Sequence, residues 1–134
     1  IMPSLVGSEM CIRDRADQDS TVGNLSTNLQ LKTKFKNLIM KLGSRGILCS
    51  TSNKNSKSSY FNIDSFVENL IDPVGAGDAL LAYATLTMSD TKNLAAAGII
   101  GSLAAACECE MDGNTPVTTK KIFEKIDKIK KNFE

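Results

Sequence analysis

Asp78 is the residue in this chain best placed by its neighbours to do chemistry. It stands near the end of the stretch Asp72-Pro73-Val74-Gly75-Ala76-Gly77-Asp78-Ala79. Pro73 fixes its own φ and pushes Asp72 towards extended backbone, so a strand is expected to end there. Gly75 and Gly77, separated by the small Ala76, let the backbone turn tightly and approach a ligand closely. From Gly77 onward, Ala79-Leu80-Leu81-Ala82-Tyr83-Ala84 reads as the opening of a buried helix. A glycine turn that opens a helix aims unpaired N–H groups and the positive dipole end at one point, which suits an anion. Asp78 then puts a carboxylate where an anion should bind. It is either a helix-start residue, stabilising by ~0.3–1 kcal/mol, or a base beside a phosphate site.

The elements that must position this turn follow from the rest of the chain. Pro3 to Arg15 shows neither helical nor strand periodicity. It resembles a peptide translated from sequencing-adapter read-through, so residues 1–15 are expected to be non-native or disordered and are kept out of the fold. Residues 16–28 have loop composition, and Leu29 to Lys36 has the pattern of a short helix. Three strands are expected: Asn37–Leu42, Ile47–Thr51 and Ser59–Ile63. Turns at Gly43-Ser44-Arg45-Gly46 and Ser52–Ser58 separate them. After the central turn, one helix should run to about Met88, with a turn at Ser89-Asp90. A nearly all-apolar helix should then span about Lys92 to Cys109 and be buried. Thr118 or Thr119 caps a last helix, whose stripe is Ile122, Ile126, Ile129 and Phe133. Its lysines at 120, 121, 125, 128, 130 and 131 are expected on the solvated face.

Composition excludes several classes of function. The 134 residues suffice for one domain with a real core. A net charge of +1 gives no reason to expect nucleic acid as a partner. The stretch from Leu94 to Cys107 is too short and too interrupted to span a bilayer, so no membrane partner is expected. No secretory signal is visible, and the expected location is cytoplasmic. Four cysteines (Cys11, Cys49, Cys107, Cys109) without a histidine lack the paired spacing of a zinc site and read as thiols. The absence of histidine also removes Ser-His and Cys-His nucleophile chemistry.

Two nucleotide motifs fail on inspection. A Walker loop needs Gly-Lys-Ser/Thr, but Gly77 is followed by Asp78-Ala79. The dinucleotide fingerprint needs a third glycine where Leu80 stands. What remains is the whole pattern from Asp72 to Ala79, together with Lys41-Leu42-Gly43-Ser44-Arg45-Gly46 upstream. This pair resembles the second signature and the ATP-side glycine loop of the ribokinase (PfkB-type) carbohydrate kinases. The likeness extends through Gly113-Asn114-Thr115-Pro116 and covers roughly residues 16–134.

The resemblance implies an α/β fold: the C-terminal part of a doubly wound sheet with flanking helices and a β-hairpin. It implies a nucleotide-binding and catalytic part, with ATP, Mg2+ and a sugar or sugar-phosphate hydroxyl as reactants. By family pattern Asp78 is the catalytic base, and Gly75, Ala76 and Gly77 form the anion hole. Gly43, Ser44, Gly46 and Gly77 would line the nucleotide, with Arg45 facing solvent. Asp72, Val74 and Gly113 match positions that hold a monovalent cation such as K+ in some members. Ala16 to Asn24 is similar to a stretch in kinases of heptose 7-phosphate, which makes that the leading substrate expectation. The resemblance also allows a homodimer in the full-length protein. The sugar-contacting half of such a kinase has no counterpart in this chain, so the fragment is expected to be inactive alone. The alternative is a nucleotide-binding fragment without catalysis.

Overall fold

The structure, a computed structural model, describes residues 19–53, 56–113 and 115–134. Residues 1–15, and with them Cys11, lie outside the described residues. The chain divides into two compact units, Ile1–Asp64 and Ser65–Glu134. Each is described by itself.

The first unit carries a helix α1 (Asp19–Thr33) and three strands, β1 (Asn37–Lys41), β2 (Ile47–Asn53) and β3 (Ser56–Ile63). They form an antiparallel sheet in the order β1-β2-β3. Met40 faces Leu48 across the first pair, and Cys49 faces Phe61 across the second. β1 alternates, burying Leu38 and Met40, whereas Ile47, Leu48, Cys49 and Ser50 of the middle strand are all buried. That difference is the mark of a strand flanked on both sides. β1 stops one residue short of its expected end, at Lys41, whereas β2 continues to Asn53 and β3 begins at Ser56, beyond their expected limits. An irregularity in the pairing between Thr51 and Asn53 absorbs the polar segment.

α1 corrects the expectation of a loop over the described part of residues 16–28. Its polar residues are helical because tertiary contacts and side-chain hydrogen bonds override weak propensity. Val22 is buried against Leu38, Met40 and Leu48, with Leu25 and Leu29 packed beside them. Those three α1 positions have helical spacing. On the same helix Ser26 Oγ donates to the Gly23 carbonyl at 2.7 Å. Gln30 Nε2 donates to the Ser50 carbonyl at 3.2 Å, and Ser50 Oγ donates to Gln30 Oε1 at 2.6 Å. A buried glutamine thus clamps the helix to the middle strand with its polar atoms satisfied.

The second unit consists of three helices: α2 (Ala76–Thr91), α3 (Leu94–Cys109) and α4 (Thr119–Lys131). The turn between the first two falls at Lys92-Asn93, later than the expected Ser89-Asp90. Asn93 sets that boundary by accepting from Ala95 N–H (2.9 Å) and Ala96 N–H (3.1 Å). α2 and α3 pack closely because Gly101 lies where a Cβ would meet Ala84 Cβ and the Leu80 carbonyl, each at 3.0 Å. Leu103, Ala104 and Cys107 of α3 form a core with Ile122 of α4. Tyr83 closes it by donating its hydroxyl to the Val117 carbonyl at 2.8 Å. Thr118 caps α4, accepting from Lys121 N–H.

Two expectations for α4 need correction. Phe133 lies beyond the helix and is 87% exposed, so the apolar stripe stops at Ile129. Lys125 is buried rather than solvated, its ammonium 2.9 Å from each carboxylate oxygen of Glu110. Cys49, Cys107 and Cys109 are buried and not disulfide-bonded. Burial pushes the Cys49 thiol up to about 12 and raises that of Cys107. Among the described residues no three His, Cys, Asp or Glu side chains group as a metal site, and no helix is long and apolar enough to cross a membrane.

Candidate active site

The approach to α2 is pinned by one carbonyl. Cys109 O, at the C-terminal end of α3, accepts from Ile71 N–H at 2.8 Å and from Asp72 N–H at 3.0 Å. An α-helix leaves its last carbonyls unpaired, and here one of them takes the place of a strand partner. This is why the strand expected to end at Asp72 is not formed. Asp72 Oδ1 then accepts from Val74 N–H at 3.0 Å, folding the chain back on itself. The Pro73 carbonyl accepts from Ala76 N–H at 3.3 Å.

Gly75 is the N-cap of α2, with φ 87° and ψ −13°. This left-handed conformation is cheap only for glycine. No side chain caps the helix, and of its first-turn donors only Ala76 N–H is taken, by the Pro73 carbonyl. Among the described residues no backbone carbonyl accepts from Gly77 N–H or Asp78 N–H. Ala76 is buried and anchors the turn from beneath, while Asp78 is exposed. The Asp78 carboxylate makes no hydrogen bond or ion pair among the described residues. An unengaged carboxylate beside open N–H donors can accept a proton from a hydroxyl held next to an anion.

The predicted glycine loop belongs to the first unit. Gly43, Ser44 and Arg45 form a single 3-10 turn between β1 and β2. Leu42 N–H donates to the Gly46 carbonyl at 2.8 Å, and Gly46 N–H donates to the Gly43 carbonyl at 3.1 Å. Positive φ at Gly43 (62°) and Gly46 (88°) lets the loop close this tightly. Gly43, Ser44 and Arg45 are exposed, Gly46 buried.

The predicted residues thus fall into three groups. Asp72, Val74, Gly75, Ala76, Gly77 and Asp78 share one turn of the second unit. Gly43, Ser44 and Gly46 share one turn of the first. Gly113 stands in the turn after α3, with φ 80° and its carbonyl accepting from Thr115 N–H at 2.9 Å.

Sequence reasoning passed over one residue at the turn. Glu108, in the last turn of α3, is only 6% exposed. A Cβ placed on Gly75 would lie 2.9 Å from its Oε1. The signal available was the first acidic residue to follow a run of Leu, Ala and Cys. A second acidic residue, Glu110, draws the segment before the turn towards α4. It accepts from Glu68 N–H at 2.7 Å while binding Lys125, and Lys128 pairs with Glu68 in turn.

A glycine loop between antiparallel strands, and a capless glycine turn opening a helix of small residues, together mark a ribokinase-like fold. The chain belongs to the pfkB family of carbohydrate kinases, whose family profile matches residues 14–121. Among solved structures it is similar to ribokinase from Thermotoga maritima, at 26% identity and a TM-score of 0.68. That match covers 89% of this chain and 39% of that protein. It is also similar to a nucleoside kinase of Methanocaldococcus jannaschii, described as an archaeal member of the ribokinase family. There the identity is 30% and the TM-score 0.57, over 69% of this chain and 30% of the other. A ribokinase from Giardia lamblia shares the fold at 20% identity and a TM-score of 0.59, over 90% of this chain and 39% of that one. The chain therefore spans well under half the length of these relatives. No curated protein matches it significantly.

Proposed function

We propose that this chain supplies the phosphoryl-transfer turn of an ATP-dependent kinase acting on a hydroxyl of a sugar or sugar phosphate. The observation that carries this is the open first turn of α2: Gly75 in a left-handed cap, unpaired N–H groups at Gly77 and Asp78, and an exposed, unengaged Asp78 carboxylate. Phosphoryl transfer asks mainly for positioning and for stabilisation of spread negative charge. The open N–H groups of this turn, at Gly77 and Asp78, would meet the second need at the transferring phosphoryl group, with Gly75 and Ala76 shaping the hole. Asp78 meets the first, by accepting a hydrogen bond from the attacking hydroxyl and then its proton. The new O–P bond forms as the bond to the leaving ADP breaks.

Gly43, Ser44 and Gly46 would lie along the nucleotide, their small side chains giving it backbone access. Mg2+ would neutralise phosphate charge when bound. Because no acidic group of three is present among the described residues, we assign it no ligand here. Asp72, the Val74 carbonyl and Gly113 would hold a monovalent cation such as K+. The narrower substrate, heptose 7-phosphate, rests on the sequence of Ala16 to Asn24 alone. A second reading, a nucleotide-binding fragment without turnover, is favoured by the share of the relatives' length that this chain spans.

The test is ATP turnover with a panel of sugars and sugar phosphates, using the full-length protein and its Asp78→Asn variant. Loss of a general base costs about 10²–10⁴-fold. A full-length protein with no turnover on any acceptor, or a variant as active as its parent, would sink the proposal. ATP binding without turnover by the 134-residue chain would support the second reading for the fragment.

A further inference from the structure

The Glu108 carboxylate is buried against the one backbone position, Gly75, where α2 presents its positive end. It makes no hydrogen bond or ion pair among the described residues. Lys125, the buried cation of this unit, is committed to both oxygens of Glu110. Burying a charge without a partner is costly, so the position calls for a role. Resting on the reading of the turn as an anion site, we propose that Glu108 is its charge-selecting residue. Its carboxylate opposes the field of the helix N-terminus from the inner side of Gly75. Bare oxyanions are thereby bound weakly, and phosphate that arrives with its own cation is favoured.

The physics separates this role from a packing role. A buried charge acts through a poorly polarisable medium and is screened little by salt. Its effect should therefore grow with ligand charge and persist at high ionic strength. A side chain that merely filled space would alter affinity for all ligands alike. Asp72 and Asp78 also lie on this turn, but Asp72 already accepts from Val74 N–H and Asp78 is open to solvent. Of the three, only Glu108 is buried, at 6% exposure.

The experiment compares the 134-residue chain with Glu108→Gln and with Glu108→Met, which removes the charge at similar volume. Affinities for nitrate, sulfate, free ATP and Mg-ATP are measured by calorimetry at low and high salt. Circular dichroism checks that each variant is folded. Both substitutions should tighten sulfate and free ATP by about tenfold, nitrate much less, and Mg-ATP less than free ATP. Unchanged affinities, or one common shift for every ligand regardless of charge, would overturn the proposal. Failure of every protein to bind any of the four ligands would instead overturn the reading of the turn as an anion site, and this proposal with it.

Discussion

Lys125 donates from its ammonium to both carboxylate oxygens of Glu110, at 2.9 Å each, from a side chain only 6% exposed. Glu110 is 24% exposed and also accepts from Glu68 N–H, so one carboxylate joins α3, α4 and the segment leading to the Gly75–Asp78 turn. Removing one member of a buried pair costs 3–5 kcal/mol because the other charge is stranded. Partial exposure of Glu110 reduces that cost, and Lys125→Met should lose about 2–3 kcal/mol of stability. The double variant Lys125→Met with Glu110→Gln should recover part of the loss. Chemical denaturation of the four proteins of this cycle checks both statements, and additive losses would show that the two residues do not interact.

This pair also shows what the sequence could and could not convey. Ile122, Ile126 and Ile129 announced the buried face of α4 by their spacing. Nothing in that spacing showed that Lys125 shares it, because its partner lies fifteen residues back at the end of another helix. The Gly75–Asp78 turn was legible because its chemistry is local: two glycines, a proline and a carboxylate fix it within seven residues. α1 was not legible as a whole. Its polar face is made helical by Gln30 reaching Ser50 and by the fit of Gly23 against Tyr60, both long-range facts.

Gly23 offers a test of that last contact. A Cβ there would collide with the Tyr60 ring, although alanine in a helix interior normally gains about 0.5–1 kcal/mol over glycine. Gly23→Ala should therefore destabilise the first unit or push the half-exposed ring outward. In a Tyr60→Ala background the same change should become stabilising by about 0.5–1 kcal/mol. Thermal denaturation of the cycle decides it, and a stabilising Gly23→Ala in the parent chain would deny the contact.

Glu68 and Lys128 give the second unit a pH signature on an exposed surface. The hydrogen bond from Lys128 holds the Glu68 carboxyl below its ordinary value of 4.5, and Glu68 raises Lys128 above 10.5. The depressed acid contributes stability that is present above 4.5 and is lost as pH falls through its folded value. The raised base contributes stability that is complete below 10.5 and is lost as pH rises through its folded value. Between those limits the pair is intact. Lys128→Met should return the Glu68 titration, followed by side-chain NMR, towards 4.5. A titration unmoved by the substitution would show that the pair does not persist in solution.

Gly75→Ala separates backbone strain from contact at the turn. The left-handed φ of 87° costs a non-glycine residue about 1–2 kcal/mol. The new methyl group would also press on Glu108 Oε1. A carboxylate end can move aside, so the strain should dominate. Gly75→Ala should lose about 1–2 kcal/mol of stability and should weaken ATP binding by displacing the open N–H groups of Gly77 and Asp78. Adding Glu108→Ala would relieve the contact but leave the dihedral penalty, so most of the stability loss should remain. Full recovery in the double variant would assign the requirement for glycine to the carboxylate instead of the backbone. Calorimetric melting of the two single variants and the double variant distinguishes these outcomes, with ATP titration reporting whether the turn keeps its donors aligned.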